Sequence, residues 1–301
     1  MARLLLIFLF TCVPAAVLAG LGDGDLPAAR WYAHVDLVEM RSGDAGKQLY
    51  DWLDDEVFEE LREEVGFDAS KEADTITALA TPEGGIMVVV DGKFTQSTQD
   101  KIVAIGAAGS DFNALEYGDT VYYFIGDDDD PGEVVHDNDS LDDGAYLSLA
   151  LNNKLIVTST EEQMHKLIDS NGKIPGDYDN GDSLIVLSAE RSLVQAGMSA
   201  DGIGEDLGWD SNMLRNTKQV ALVVADAAGK IAIEAQLIAA EEEVASSLAS
   251  IVRGLISLQI FNEDMDPEIA EFLQNTKVDV SGATLTVKVA IDADVLVDAI
   301  D

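Results

Sequence analysis

The strongest constraint on the fold is the order of the predicted secondary-structure elements, which runs through twice. Each half of the chain reads as strand, helix, hairpin, helix, hairpin and helix. The segment 75–105 matches 218–255, and 146–169 matches 278–301, in element order and hydrophobic phase more than in residue identity. A repeated order of this kind predicts an internal duplication, with a generic alternation of strands and helices as the alternative.

Turn and cap signals mark where the predicted elements begin and end. The segment 76–91 reads as a hairpin, because Pro82–Gly85 interrupts two apolar runs with residues that favour turns. Thr160 is placed as a helix N-cap, and Gln163 three residues later completes a capping box with it. Asp292 is a second predicted N-cap, at the start of the last helix.

Each half resembles a ferredoxin-like βαββαβ unit. As a whole, the chain is similar to secreted bacterial proteins built from two such halves. We therefore expect an α+β fold of two related ferredoxin-like halves, with mainly antiparallel sheets and helices packed on one face. The expected boundaries are a signal peptide at 1–19, an N-terminal half at 20–176 and a C-terminal half at 177–301. The resemblance implies a periplasmic or extracellular setting and no activity.

The strand patterns predict which faces of the sheets are buried. The run Ile86–Val90 is apolar at every position, which is typical of a strand covered on both faces. In the second half, Glu234 and Gln236 alternate with apolar residues, and the segment 284–289 alternates in the same way. Successive side chains of a strand point to opposite faces. We therefore expect one face of the second sheet to be polar and open to water or to a partner.

The N-terminus has the pattern of an export signal. A short positively charged start precedes the apolar run Leu4–Phe10, and small residues then predict cleavage between Ala19 and Gly20. The apolar run is shorter than the roughly 20 residues of a membrane span, and Pro14 interrupts it. A lipoprotein signal at Cys12 is disfavoured by the threonine that precedes it. We expect an exported chain that retains no cysteine after cleavage.

A second apolar stretch, 244–261, has helical periodicity. It contains Arg253 and several serines, which favour a buried helix of the core over a membrane span. We therefore expect the chain to have no transmembrane span after the signal is removed.

The charge of the chain narrows its possible partners. The sequence has 57 acidic and 18 basic side chains, a formal net charge of −39. Nucleic acid is excluded, because phosphate binding needs a basic surface. Such an acidic load suits a protein exported from a marine or salt-tolerant bacterium, since salt screens its self-repulsion. Divalent cations or a basic partner protein are the alternatives that would give the charge a binding role.

The acidic residues are densest between Asp127 and Asp143. Carboxylate oxygens on a flexible loop suit Ca²⁺, so this segment is a candidate calcium site. The candidate ligands are Asp127, Asp128, Asp129, Asp130, Asp137 and Asp139. A solvated loop and a docking segment for a basic protein are the alternatives. A second acidic turn, 177–182, departs from the order of ligands in an EF-hand and is interpreted as the turn between the halves.

The first predicted strand carries the other candidate ligand-binding residues. Tyr32, His34 and Asp36 share one face by the two-residue period of a strand. Such a row could bind a ligand or take part in acid–base chemistry, and a hydrogen-bonded edge of the core is the alternative. His165 lies among charged residues of a predicted helix and is expected to be exposed.

No motif in the sequence carries a complete catalytic signature. We therefore interpret the chain as an exported, acidic, non-catalytic binding or structural protein, stabilised by calcium if the acidic segment binds it. The alternative is a hydrolase that acts outside the cytoplasm through Asp and Glu carboxylates, with or without a metal.

Overall fold

The computed structural model describes residues 29–59, 62, 67–108, 111–126, 141, 144–175, 180–191, 216–260 and 267–300. The predicted signal peptide and the six candidate calcium ligands lie outside these residues, as does the expected boundary between the two halves.

Twelve strands and eight α-helices make up the described part of the chain. The strands are β1 (Trp31–Asp36), β2 (Ala73–Ala80), β3 (Ile86–Gly92), β4 (Asp111–Tyr117), β5 (Thr120–Gly126), β6 (Gly144–Ser148), β7 (Lys154–Thr158), β8 (Ser183–Glu190), β9 (Thr217–Ala227), β10 (Lys230–Ala239), β11 (Lys277–Ser281) and β12 (Thr284–Ile291). The helices are α1 (Leu37–Ser42), α2 (Asp44–Leu53), α3 (Ala69–Glu72), α4 (Gln96–Ala108), α5 (Glu161–Asp169), α6 (Glu242–Ile260), α7 (Pro267–Asn275) and α8 (Ala293–Ile300). A π-helical segment, Asp54–Phe58, continues α2.

All twelve strands belong to one sheet, which confirms the α+β class and the antiparallel pairing. Their order is β11-β12-β10-β9-β8-β1-β2-β3-β7-β6-β5-β4. The sheet is continuous because β1 pairs with β2 on one side and with β8 on the other. Outward from that central pair, β1-β2-β3-β7-β6 mirrors β8-β9-β10-β12-β11, and β5 and β4 extend the first side. This mirrored order fits a duplication, but the two ferredoxin-like halves stay a prediction, and the separate sheets expected for them form one continuous sheet.

The sheet is covered on both faces near β3, as its unbroken apolar sequence predicts. Val88 and Val90 face the largest hydrophobic cluster, which also contains side chains of α1, α2 and α8. Met87 and Val89 point to the opposite face and belong to a separate cluster. Strand β3 is therefore buried between two layers, which confirms the expectation for this strand.

The helices are distributed unequally between the two faces. The buried or partly buried apolar residues of α1, α2, α4, α7 and α8 belong to the cluster around Val90, and α6 packs on the same side against Leu285 and Val287. The exception is α5, whose Met164 and Leu167 pack with Met87 on the other face. Helices on one face thus describe most of the fold, and α5 covers the reverse side of β3 and β7.

The polar side of β10, which was expected to be exposed, is buried at Glu234. The side chain of Glu234 is only 2% exposed. Its carboxylate accepts hydrogen bonds from Lys288 Nζ at 2.6 Å and from Gln236 Nε2 at 2.8 Å. The prediction of an open face is therefore wrong at Glu234, because a cross-strand ion pair lets the charge be buried. On the edge strand β11, Lys277 and Asp279 are exposed.

One carboxylate ties the second part of the sheet to a helix of the first. Asp226, at the end of β9, accepts hydrogen bonds from the backbone N–H groups of Ala45 at 3.1 Å and Gly46 at 3.2 Å. These are donors of the first turn of α2, whose own N-cap residue, Gly43, has no side chain to serve them. Asp226 also accepts from Gly229 N at 3.1 Å. It thereby caps α2 and closes the β9–β10 turn.

Candidate functional site

The predicted row of Tyr32, His34 and Asp36 lies at the centre of the sheet, on β1. Tyr32 is buried with Leu79, Val186 and Val223. Its hydroxyl donates to Asn180 Oδ1 at 3.1 Å, and Asn180 Nδ2 lies 2.9 Å from the hydroxyl oxygen of Tyr32. The phenol is therefore part of a packed layer that joins β1 to the residues before β8.

His34 and Asp36 have different partners. His34 Nδ1 is hydrogen-bonded to Thr77 Oγ1 at 2.9 Å, and the side chain is 8% exposed. Burial lowers the pKa of His34, while the nearby carboxylates of Asp36 and Asp91 partly oppose that shift. Asp36 Oδ1 accepts from Val38 N and Glu39 N, so it caps α1. The row has structural contacts at each position, and its role in ligand binding stays a prediction.

A polar contact on neighbouring strands extends this row. Asp91 forms an ion pair with Lys154, across the β3–β7 pairing. A Cβ added at Gly172 would lie 2.4 Å from Lys154 Cδ, so that glycine leaves room for the lysine stem. The carboxylate of Asp91 near His34 is therefore paired with the ammonium group of Lys154 and is not an isolated charge.

A second cluster of titratable residues lies between α5 and the β4–β5 hairpin. Tyr122 is 1% exposed, and its hydroxyl donates to Glu161 Oε1 at 2.6 Å. His165 Nε2 lies 3.0 Å from that hydroxyl, and the imidazole stacks on Tyr117 with ring centroids 3.9 Å apart. Burial and the Glu161 carboxylate raise the pKa of Tyr122 far above its ordinary value. The phenol stays protonated and fixes α5 to the hairpin.

This cluster was missed by the sequence analysis, which expected His165 to be exposed. The ring is instead partly buried between Tyr117 and Tyr122. Glu161 and His165 are one helical turn apart, so their common face was readable from the sequence. No local sequence pattern indicates that the β4–β5 hairpin lies under that face.

Within the described residues, no group of three or more His, Cys, Asp or Glu side chains is arranged to hold a metal ion. The six candidate calcium ligands between 127 and 139 lie outside the described residues, so calcium binding stays a prediction.

Helix α6 has two apolar sides. Ala245, Leu248 and Ala249 are buried against the sheet. A second apolar stripe follows the helix at spacings of four and three residues, and its members are Ile251, Leu255 and Leu258, which are 40%, 43% and 71% exposed. At 100° per residue this stripe points about 110° away from the buried side. The prediction of a buried helix is therefore wrong for its C-terminal half.

Helix α6 combines a strongly apolar composition with a fixed attachment to the sheet. Of the helices that the structure describes, α6 alone is long and apolar enough to cross a membrane by length and composition. Its N-terminal half is nevertheless anchored on the sheet, and Arg253 Nη2 donates to Val278 O at 2.6 Å. The helix is thus fixed to the protein along one side and presents apolar side chains on another.

These features define an α+β protein with one broad antiparallel sheet and an apolar helix face at one end. No family model matches the sequence. No curated protein matches it either.

The comparison with solved structures finds a weak similarity to TP0453. Crystal form III is 10% identical and has a TM-score of 0.47, with 93% of this chain and 99% of that chain covered. Crystal form IV is 10% identical with a TM-score of 0.46, and 90% of this chain and 92% of that chain are covered. Similarity at this level carries no functional assignment.

Proposed function

We propose that the protein is an exported, non-catalytic binding protein whose docking surface is the apolar stripe of α6, Ile251, Leu255 and Leu258. The stripe is the observation that carries the proposal. Large apolar side chains that are contiguous, exposed and held on a rigid element are typical of interaction sites. The sheet supports α6 from behind, so docking requires no rearrangement of the helix.

The acidic composition fits the same function. A net charge of −39 keeps the protein soluble and separates its copies by repulsion. An apolar stripe on such a chain can therefore stay exposed without self-association. The export signal read from residues 1–19 supports a partner outside the cytoplasm.

A pair of matched variants tests the docking surface. Leu258→Gln alters the stripe, whereas Ser257→Gln places the same side chain on an exposed position of α6 away from it. Binding of the neutral apolar dye Nile red to the mature chain, 20–301, reports exposed apolar surface. We expect Leu258→Gln to reduce the dye fluorescence and Ser257→Gln to leave it unchanged. Equal fluorescence in both variants would refute the assignment of the docking surface.

The same preparation tests the non-catalytic part of the proposal. We expect no turnover on a broad panel of hydrolase substrates. Robust turnover that is abolished by a single Asp or His substitution would instead establish the extracytoplasmic hydrolase considered from the sequence.

A further inference from the structure

Gly254 lies beside the exposed stripe of α6, and no close contact with the described part of the chain requires a glycine there. Gly43, Gly46, Gly92 and Gly106 are each crowded, since a Cβ there would lie less than 3.0 Å from another atom. At Gly254 a Cβ would meet no atom of the described residues within 4 Å beyond the backbone of its own helix, and the backbone is helical. Glycine inside a helix is less favourable than alanine by about 1 kcal/mol.

The position of Gly254 relative to the stripe suggests what the glycine is for. It is three residues after Ile251 and four before Leu258, so these residues share one side of the helix. A missing side chain between them leaves a notch in which the backbone of α6 is accessible. Small residues at such points allow two helices to approach closely. The notch and the apolar side chains around it together fit a crossing helix.

The charges around the stripe indicate the chemistry of that helix. The ionised residues of α6 are Glu242 and Glu243 in its first turn and Arg253, which is turned toward β11. Glu241, directly before the helix, adds a third exposed carboxylate at the same end. An uncharged stripe beside an acidic first turn, on a chain of net charge −39, complements an apolar helix that carries basic residues. A second copy would instead bring a charge of −39 against −39.

We propose that the occupant of the stripe is a basic amphipathic helix of a partner protein, which crosses α6 at Gly254. Its apolar residues pack on Ile251, Leu255 and Leu258, and its Lys and Arg side chains face the carboxylates at the start of α6. This inference rests on the proposed function, because it names the partner of the same surface.

A synthetic helical peptide tests the charge of the partner. The probe has Leu at i, i+3, i+4 and i+7 and Lys at the flanking positions, and its control has Glu in place of Lys. Fluorescence anisotropy with the mature chain should show binding of the Lys peptide, weakened by added salt, and no binding of the Glu peptide. Leu258→Gln should weaken binding about tenfold and Ser257→Gln should not. Failure of the Lys peptide to bind, or equal binding of both peptides, overturns the inference.

Gly254→Ala tests the crossing point, because it should stabilise the fold and weaken peptide binding. Alanine should raise the melting temperature, because it favours the helix, and should weaken binding of the Lys peptide, because its methyl group fills the notch. An unchanged or higher affinity overturns the crossing at Gly254. A melting temperature that falls shows that this glycine is required by the fold.

Two further experiments test the alternative occupants. Sedimentation velocity of the mature chain shows self-association if the occupant is a second copy. If the occupant is a lipid surface, the mature chain binds phosphatidylcholine vesicles, and Leu258→Gln weakens that binding. Either result overturns the basic helix. The Nile red comparison of Leu258→Gln with Ser257→Gln decides the proposed function independently, because it involves no peptide.

Discussion

Removal of the Asp226 carboxylate should destabilise the whole protein, because this side chain connects the β9–β10 turn to α2. The proposed change is Asp226→Ala, with Asp226→Asn as the partial form. Alanine leaves the N–H groups of Ala45 and Gly46 without their acceptor, and Gly43 cannot replace it. The hydrogen bond from Gly229 is lost as well. The change therefore removes a helix cap and a turn contact at once.

The magnitude follows from these contacts. Loss of an N-cap costs about 0.5–2 kcal/mol, and a carboxylate acceptor belongs at the upper end because it also interacts with the helix dipole. The turn hydrogen bond adds about 1 kcal/mol. Asp226→Ala should thus lower the free energy of unfolding by about 2–3 kcal/mol. Asp226→Asn should lower it by about 1 kcal/mol, because the amide keeps one acceptor oxygen.

Urea unfolding of the mature chain, monitored by tryptophan fluorescence, measures these differences in the free energy of unfolding. The slope of that free energy against urea concentration should be the same in all variants. Asp279→Ala is the control, since it removes an exposed carboxylate of β11 and should change stability by less than about 0.5 kcal/mol. Asp226 is not the helix cap described above if Asp226→Ala is as stable as this control, or if the asparagine variant is as unstable as the alanine variant. Gly43→Ala should also destabilise, because its Cβ would lie 2.3 Å from Asp226 Oδ2.

Three further predictions concern a strained turn, a buried histidine and calcium. Ala228 has a φ of 56°, so Ala228→Gly should raise the free energy of unfolding by about 0.5–1 kcal/mol in urea titration, and a loss of stability would contradict the strain argument. Burial lowers the pKa of His34 in the folded state, so the unfolded chain binds the proton more readily. This contribution to stability is complete above the unfolded pKa of about 6.5 and is lost as pH falls through the folded pKa. Between pH 7 and 5 the wild type should therefore lose more stability than His34→Gln, and parallel curves would refute the assignment. Millimolar Ca²⁺ should raise the melting temperature relative to EDTA at matched ionic strength, and neutralisation of Asp127–Asp130 should abolish the difference; an equal response to Mg²⁺ or to salt alone would mean that the acidic segment is not a calcium site.

Local features of the fold were predictable because they depend on neighbouring residues. Thr160 caps α5 through a hydrogen bond from Gln163 N, and α8 begins directly after Asp292, as their positions in the sequence predicted. The apolar run in β3 likewise predicted a strand buried on both faces. Strand β4 was missed, since Asn113 and Glu116 break the apolar alternation of this edge strand.

The sequence by itself determined the α+β class, the antiparallel hairpins, most helix starts and the acidic surface, because hydrophobic period, turn residues and charge act over a few residues or on the whole chain. Only the tertiary structure decided that β1 pairs with β8, that Asp226 caps a helix 181 residues away, and that one side of α6 stays exposed. These outcomes depend on which distant surfaces meet when the sheet assembles. A helix with two apolar sides has the same local pattern whether one side or both are buried, and the extent of the sheet beneath α6 leaves the second side free.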